Sequence, residues 1–211
     1  MKKMNKKTLD AFEYDKQYYT TGIRNIAGVD EVGRGPLAGP VVVSAVIMNN
    51  DSIIDGVRDS KTISENKREK LYEELMQNSK SVGIGWIDPK EIDNINILEA
   101  TRKAFIKAID NLEIKPDFVL MDYITGVNTD YPFIALKKGD SISYIIGCAS
   151  IIAKVKRDRY MIEIDKEYPM YGFARNKGYG TKEHIYALKK YGPCPIHRKS
   201  FLNKILGDKN E

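Results

Sequence analysis

The chain has 211 residues, of which 42% are apolar and 30% are charged, with a formal net charge of +5. Its longest apolar stretch, residues 41–48, is too short to span a membrane, and no apolar segment of a signal peptide follows the basic amino terminus. Two cysteines and two histidines are too few for a disulfide framework or a zinc site built on these residues alone. We therefore expect a cytoplasmic, monomeric protein with no membrane partner.

The elements predicted from hydrophobic periodicity and from capping residues alternate between strand and helix after two initial strands. In chain order they are a strand at 26–29, a strand at 41–48, a helix at 66–77 capped by Ser64, a strand at 81–87 ended by Pro89, a helix at 97–112, strands at 118–121 and 131–136, a helix at 143–166 and a helix from Thr181 to Tyr191 ended by Gly192. This order is typical of a mixed sheet with helices on its faces. No pattern is readable in residues 1–21.

Positive charge is concentrated at the carboxyl end of the chain. Residues 171–211 contain nine Lys and Arg against three Asp and Glu, a net of +6, which leaves −1 for the rest. A basic tail beside an acidic body predicts a polyanionic ligand, and a solvated basic helix is the alternative.

The segment from Ile26 to Gly35 carries the strongest chemical signal. Its apolar strand ends in two adjacent carboxylates, Asp30 and Glu31, and a Gly33-Arg34-Gly35 loop follows. Carboxylates at a strand end favour hard divalent cations, and glycines let the backbone approach a phosphate-bearing substrate. Because neighbouring strand residues face opposite ways, we expect the strand to kink at Glu31. An ordinary solvated turn is the alternative.

Two further carboxylates occur in comparable settings. Asp122 directly follows the apolar run 118–121, and Asp158 lies on an apolar face of the helix predicted at 143–166. Burying such a group is costly unless it is paired or bound to a metal, and ion pairs with Lys154 or Arg159 are the alternative for Asp158. Four carboxylates predict a site for two divalent ions, Mg²⁺ or Mn²⁺, that hydrolyses a phosphodiester. They are Asp30, Glu31, Asp122 and Asp158.

With these residues placed, the chain resembles bacterial ribonuclease HII from about residue 26 to residue 201. The motifs that carry the resemblance, in the family's order, are GVDEVGRGPLAGPVV, Asp59-Ser60-Lys61 with the SENKREKLYEEL helix, Lys138-Gly139-Asp140, ASIIAKVKRDRYM, NKGYGTKEH and PIHRKSF. It implies an α/β, RNase H-like mixed sheet flanked by helices, with a small helical extension at the carboxyl end. We expect an N-terminal extension (1–25), a catalytic domain (26–168) and a basic, helical substrate-binding segment (169–211).

The resemblance implies an endoribonuclease that uses two divalent ions, Mg²⁺ or Mn²⁺. Its substrates would be RNA/DNA hybrids and duplex DNA with embedded ribonucleotides, incised on the 5′ side to leave a 3′-hydroxyl and a 5′-phosphate. The family's acidic quartet maps onto the four carboxylates above, with Asp30 shared by both ions. Asp140 matches a family position near the site.

The resemblance also assigns substrate contacts. The residues concerned are Gly33, Arg34, Gly35, Ser60, Lys61, Tyr179, His197 and Arg198. The glycine loop would contact the ribose 2′-hydroxyl, which distinguishes RNA from DNA, and Tyr179 would stack on the next sugar. Ser60 and Lys61 would contact a phosphate, and His197 and Arg198 the nucleic-acid backbone. Each assignment has an alternative. Tyr179 could be a plain loop aromatic, Ser60 and Lys61 a turn before a helix, and His197 and Arg198 a surface charge cluster.

Three other functions are weighed against this one. Ribonuclease HIII typically has Gly-Lys-Gly at residues 33–35 and an additional domain, for which residues 1–25 are too few. A non-catalytic nucleic-acid-binding protein leaves the four carboxylates without a purpose. A metal-dependent nuclease without sugar preference leaves the glycine loop and Tyr179 unexplained. Tyr123-Ile124 and Ile146-Gly147-Cys148 depart from the family's small residues, and we expect them to alter packing but leave the carboxylates in place.

Overall fold

The structure, a computed structural model, describes residues 4–19, 22–49, 53–58 and 60–207, so Asp59 of the Asp-Ser-Lys motif lies outside the described residues. Within these ranges the strands are β1 (Ile26–Val32), β2 (Val41–Met48), β3 (Ser79–Ile87), β4 (Phe118–Asp122) and β5 (Phe133–Leu136). The α-helices are α1 (Lys6–Lys16), α2 (Glu65–Asn78), α3 (Pro89–Asp110), α4 (Gly139–Ile142), α5 (Tyr144–Glu167), α6 (Phe173–Asn176), α7 (Lys182–Tyr191) and α8 (Asn203–Leu206). Short 3₁₀ turns lie at Ser60–Thr62, Pro169–Tyr171 and Lys199–Phe201.

The strands form one mixed sheet in the order β3-β2-β1-β4-β5. β2 pairs antiparallel with both β1 and β3, whereas β4 runs parallel to β1 and to β5. Every residue of β2 is buried, because this strand has a neighbour on each edge and a helix layer on each face. The predicted mixed α/β sheet with flanking helices is confirmed.

The two faces of the sheet support separate apolar cores. One core lies beneath α5 and includes Leu120 and Ile151, and the other lies beneath α3 and includes Val43 and Phe105. Both helices come close to the sheet where a strand residue lacks a side chain. A Cβ on Gly28 would lie 2.2 Å from the carbonyl oxygen of Ile145, so α5 could not pack this closely on β1 if any residue other than glycine stood at position 28.

Two details of the predicted elements differ in the structure. α3 begins at Pro89 instead of residue 97, because Asp88 caps it and proline is favoured in the first helical turn. The helix is interrupted at Asn96 (φ 65°), whose side chain accepts from the amides of Leu98 and Glu99 and restarts the helix. The expected kink of β1 at Glu31 is absent, since the ladder of β1 with β2 keeps one register through Val32.

The N-terminal residues contain a helix that the sequence did not reveal. α1 packs against α5, and the buried side chain of Asp15 accepts a hydrogen bond from the backbone amide of Ile145 at 2.8 Å. This contact satisfies one of the unpaired amides at the amino end of α5. Burial raises the pKa of Asp15 to about 7.

The C-terminal segment packs on the sheet domain through a third apolar core. This core joins Leu37 and Met161 to Phe173 and Leu188. The boundaries predicted for α7 are confirmed: the side chain of Thr181 caps it, and it ends at a glycine with φ 75°. None of the helices in the described ranges is long and apolar enough to cross a membrane.

We predict that Asp15→Asn stabilises the protein increasingly as pH rises from about 4 to 7. The pKa of Asp15 is about 7 in the folded protein, whereas the ordinary pKa of an aspartate, expected in the unfolded chain, is 3.8. Wild type therefore loses folding stability as pH rises through this window, because ionisation is easier in the unfolded chain. The difference in unfolding free energy between variant and wild type should grow by up to about 1.4 kcal/mol per pH unit and then level off. Urea unfolding from pH 4 to 9 measures it. Asp10→Asn, at an exposed position of α1, is the control, and a pH-independent difference for Asp15→Asn would contradict the prediction.

Candidate active site

Three carboxylates converge at one edge of the sheet. Asp30 and Glu31 lie near the carboxyl end of β1, and Asp122 ends β4, the strand that runs parallel beside it. One oxygen from each of these side chains lies within 4.8 Å of the other two. Parallel neighbours end at the same edge of a sheet, so pairing of β1 with β4 brings the acids together without a kink in β1.

The local electrostatics of this cluster favour a cation. The Asp30 side chain accepts from the amide of Glu31 at 2.8 Å, and that of Asp122 accepts from the amide of Gly139 at 2.7 Å. Burial and the neighbouring Glu31 raise the pKa of Asp30. Burial and Asp122 raise the pKa of Glu31, against the opposing effect of Arg34.

One oxygen of the cluster is left without a partner. Oε2 of Glu31 is buried and accepts no hydrogen bond within the described residues. Crowded carboxylates with an orphaned oxygen form an all-oxygen donor set, which fits a hard divalent cation such as Mg²⁺ or Mn²⁺.

Asp158 is held apart from these three by two ion pairs. Its buried carboxylate lies 2.7 Å from Nζ of Lys154 and 3.5 Å from Nη2 of Arg68. The alternative ion pair with Lys154 therefore forms, whereas Arg159 pairs with Glu69 and Glu73 instead. Arg68 was not predicted as a partner of Asp158, although its spacing from the buried Leu71 and Leu75 places it on the inner face of α2.

A cavity of about 330 Å³ connects the acidic cluster with the residues assigned to substrate. Its lining includes Glu31, Ser60, Lys61, Tyr179, Ser150, Arg68 and Lys154. Ser60 is fixed there from two sides, by the hydroxyl of Ser150 at 2.9 Å and by Arg68, which donates to its carbonyl oxygen at 2.8 Å. Tyr179 is 41% exposed, so its ring is available to a ligand. The role of Ser150 was not anticipated from the sequence.

The two glycines that flank Arg34 are required for different reasons. Gly33 has φ +92°, and a Cβ there would lie 2.3 Å from Nε of Arg157. Gly35 has no positive φ, and a Cβ there would meet only the Tyr179 ring, at 3.9 Å. Gly33 is therefore demanded by the fold, whereas Gly35 leaves open space beside an exposed aromatic ring.

The expectation that His197 and Arg198 touch the nucleic-acid backbone is wrong. They are 3% and 0% exposed, respectively. The guanidinium of Arg198 donates to the carbonyl oxygens of Gly33, Arg34 and Gly39, so it lies underneath the glycine loop. The local sequence looks like a basic surface cluster, because nothing in it shows that backbone carbonyls solvate the charge.

His197 instead belongs to a hydrogen-bonded chain that supports Tyr179. Its Nδ1 accepts from the amide of Cys194, and its Nε2 lies 2.9 Å from Nε2 of His184. Nδ1 of His184 then donates to the carbonyl oxygen of Tyr179 at 2.9 Å. Burial lowers the pKa of both rings, that of His197 to about 4, so both are neutral at physiological pH. Neutral rings can keep this donor order intact.

The mixed sheet with carboxylates at the ends of β1 and β4 defines an RNase H-like nuclease. In its fold the chain is similar to the crystal structure of ribonuclease H2 from Pyrococcus horikoshii, with a TM-score of 0.74 and 30% identity, covering 87% of this chain and 97% of that one. It is also similar to the structure of the PCNA:RNase HII complex from Archaeoglobus fulgidus, with a TM-score of 0.70 and 26% identity, covering 83% of this chain and 94% of that one.

Sequence comparison identifies the particular family. The family model for ribonuclease HII matches residues 27–204. Ribonuclease HII of Caldicellulosiruptor bescii is 54% identical over 195 residues, which are 92% of this chain and 95% of that protein. The chain belongs to the ribonuclease HII family and is a hydrolase of the ribonuclease class. The resemblance and the RNase H-like fold expected from the sequence are confirmed.

We predict that Asp30→Asn stabilises the metal-free protein at pH 8 and abolishes stabilisation by Mg²⁺ or Mn²⁺. The substitution removes one of three crowded carboxylates and keeps an oxygen that can accept from the amide of Glu31. Wild type should gain stability with metal by mass action, whereas the variant should not. Thermal unfolding in EDTA and at increasing metal concentration measures both effects. An unchanged metal-induced shift in the variant would contradict the assignment.

We predict that two alanine substitutions in the glycine loop affect different properties, Gly33→Ala the stability of the fold and Gly35→Ala the activity. Gly33→Ala should destabilise the fold by about 1–3 kcal/mol or more, because alanine is strained at positive φ and its Cβ meets Arg157. Gly35→Ala should change stability by about 0.5 kcal/mol or less. It should still reduce activity on a hybrid substrate, because its Cβ enters the space beside Tyr179. Urea unfolding and hydrolysis assays on both variants measure this contrast, and full activity of Gly35→Ala would refute it.

Proposed function

We propose that this protein is an endonuclease that hydrolyses RNA in RNA/DNA hybrids and incises duplex DNA 5′ to an embedded ribonucleotide. One observation carries the proposal: Glu31 of the carboxylate cluster lines the same cavity as Tyr179 and Lys61. A reactive centre and a surface suited to a nucleotide therefore occupy one site. The site is built within one chain, and we propose that the protein acts as a monomer in the cytoplasm.

Asp30, Glu31 and Asp122 would hold the divalent ions, with Asp30 shared between them. When bound, two such ions supply activation of water and stabilisation of the leaving oxygen, to give a 3′-hydroxyl and a 5′-phosphate. The three crowded carboxylates repel one another, and bound cations would relieve this repulsion. No histidine is needed as a base, and both histidines of the chain are committed to supporting Tyr179.

We include Asp158 as the fourth acidic ligand of the quartet. Two residues that line the cavity, Lys154 and Arg68, pair with its carboxylate. These pairs hold the Asp158 side chain at the edge of the site, and the same two cations can face the phosphates of a substrate. Asp158→Asn tests this assignment in the metal titration described above: a retained metal-induced shift would show that Asp158 is only a salt-bridge partner.

The ribose would be recognised between the glycine loop and Tyr179. Arg34 and Gly35 are exposed, and the Tyr179 ring is the neighbour nearest to the open space at Gly35. A 2′-hydroxyl is both a donor and an acceptor, so backbone groups of this loop can distinguish it from a deoxyribose. Ser60 and Lys61 would contact a phosphate across the cavity.

The test is a labelled DNA duplex with one ribonucleotide, compared with an all-DNA duplex and a continuous RNA/DNA hybrid. We expect one incision 5′ to the ribonucleotide with Mg²⁺ or Mn²⁺, none with EDTA and none in the all-DNA duplex. Asp30→Asn should abolish cleavage and retain binding.

The other outcomes separate the alternative functions. Cutting of the hybrid alone would favour a ribonuclease HIII-like specificity. Comparable cutting of all-DNA would refute ribose recognition and favour a nuclease without sugar preference. Binding without cleavage by wild type under every metal condition would identify a non-catalytic nucleic-acid-binding protein.

A further inference from the structure

Two completely buried arginines lie beneath the 33–40 loop (Gly33–Pro40). Arg157 comes from α5 and Arg198 from the C-terminal segment, and both are 0% exposed. Each guanidinium donates three hydrogen bonds to backbone carbonyls, at distances between 2.5 and 3.0 Å. The accepting carbonyls belong to Gly33, Arg34, Ala38, Gly39, Pro40 and Lys177. Five of these six residues lie in the loop, so its path is set by the two side chains.

Backbone carbonyls accept the hydrogen bonds of both guanidinium groups, and the carboxylates of Asp93 and Asp158 act on their charges only from a greater distance. Among the described residues, neither guanidinium has a carboxylate oxygen within 4.0 Å. Burial and the nearby Arg157 lower the pKa of Arg198 to about 9, which leaves it protonated at neutral pH. Two positively charged groups therefore lie directly under the loop, where they favour an anion on its outer side.

The glycines of the loop provide room for this arrangement. A Cβ at Gly33 would lie 2.3 Å from Nε of Arg157. A Cβ at Gly39 would lie 2.5 Å from Sδ of Met161 and 3.2 Å from Nη2 of Arg157. The spacing of these glycines in the sequence thus reflects the position of a guanidinium that is distant in the chain.

The amides of the same loop are left without protein partners. The backbone N–H groups of Gly33, Arg34 and Gly35 donate to no acceptor within the described residues, whereas those of Leu37 and Gly39 do. The carbonyls of Gly33 and Arg34 are bound by Arg198. The loop therefore has its acceptors engaged from below. Gly33 is buried, whereas the exposed Arg34 and Gly35 keep their amide donors available beside an acidic cluster and an exposed tyrosine.

We propose that Arg157 and Arg198 are positioning residues for ribonucleotide recognition. By holding the loop carbonyls, they keep the amides of Arg34 and Gly35 available to an oxygen-bearing ligand, and their charge attracts the adjoining phosphodiester. Neither residue touches substrate, and both act through the loop. This inference rests on the proposed function, in which the same loop recognises the ribose.

Arg198→Lys and Arg157→Lys test the inference, because lysine keeps the charge but is a point charge instead of a planar fork of donors. We expect each variant to bind a duplex with one ribonucleotide about tenfold more weakly in EDTA, with unchanged binding of the all-DNA duplex. In Mg²⁺ the loss should appear in KM more than in kcat. The metal-induced thermal shift should remain, because the carboxylate cluster is intact.

Two controls separate positioning from general destabilisation. Arg159→Lys changes an exposed arginine two residues along α5 that pairs with Glu69 and Glu73. Ile109→Val loosens the core on the opposite face of the sheet. Both should keep the wild-type ratio of affinities for the two duplexes. If Arg198→Lys and Arg157→Lys lose stability but also keep this ratio, the inference is wrong.

Hydrogen–deuterium exchange on the wild-type protein tests the inference even if the arginine variants do not fold. The amides of Arg34 and Gly35 should exchange fast in the free protein and become protected by the ribonucleotide duplex but not by the all-DNA duplex. Slow exchange in the free protein, or equal protection by both duplexes, would overturn it. A wild-type protein that cleaves both duplexes alike would instead refute the proposed function, so the two failures are distinguishable.

Discussion

Parallel pairing of β1 with β4 is the constraint on which the rest of the molecule depends. It forces Asp30, Glu31 and Asp122 to one edge of the sheet, where like charges lie within 4.8 Å in a partly buried setting. Folding must hold this cluster together against burial and mutual repulsion, which raise the pKa of Asp30 and of Glu31 and which Arg34 opposes only at Glu31. Apolar cores on both faces of the sheet support this edge.

The cations around the site fall into two groups with different physical roles. Lys154, Arg68 and Lys61 line the open cavity, where they can pair with Asp158 or face a phosphate. Arg157 and Arg198 are buried, and their guanidinium groups donate hydrogen bonds to backbone carbonyls. The first group can exchange partners when substrate arrives. The second group cannot, since losing its carbonyls would leave a buried charge without compensation.

Much of the site could be predicted from the sequence because its signals are local. An acid directly after a buried strand, as at Asp30 and Asp122, is visible in a short window, and the family motifs fixed the order of the remaining parts. The histidine and arginine of the PIHRKSF motif were misjudged for the opposite reason. The burial of Arg198 depends on carbonyls of a loop about 160 residues away, as its contact with Gly39 shows, and the His197 ring is paired with His184 and Cys194. α1 was missed because the residues that it buries fully, Thr8 and Asp15, are polar, so no buried apolar stripe marks the helix in the sequence.

The glycine loop shows how one short motif can satisfy two independent demands. Gly33 is required because a Cβ there would meet Arg157, and Gly39 because a Cβ there would meet Met161, so both are demands of the fold. Gly35 meets no such neighbour, and its missing side chain leaves space beside Tyr179. A sequence motif read only as a ligand loop would credit all three glycines to substrate. The structure divides them, because only Gly33 and Gly39 combine a positive φ with a Cβ position that neighbouring atoms block.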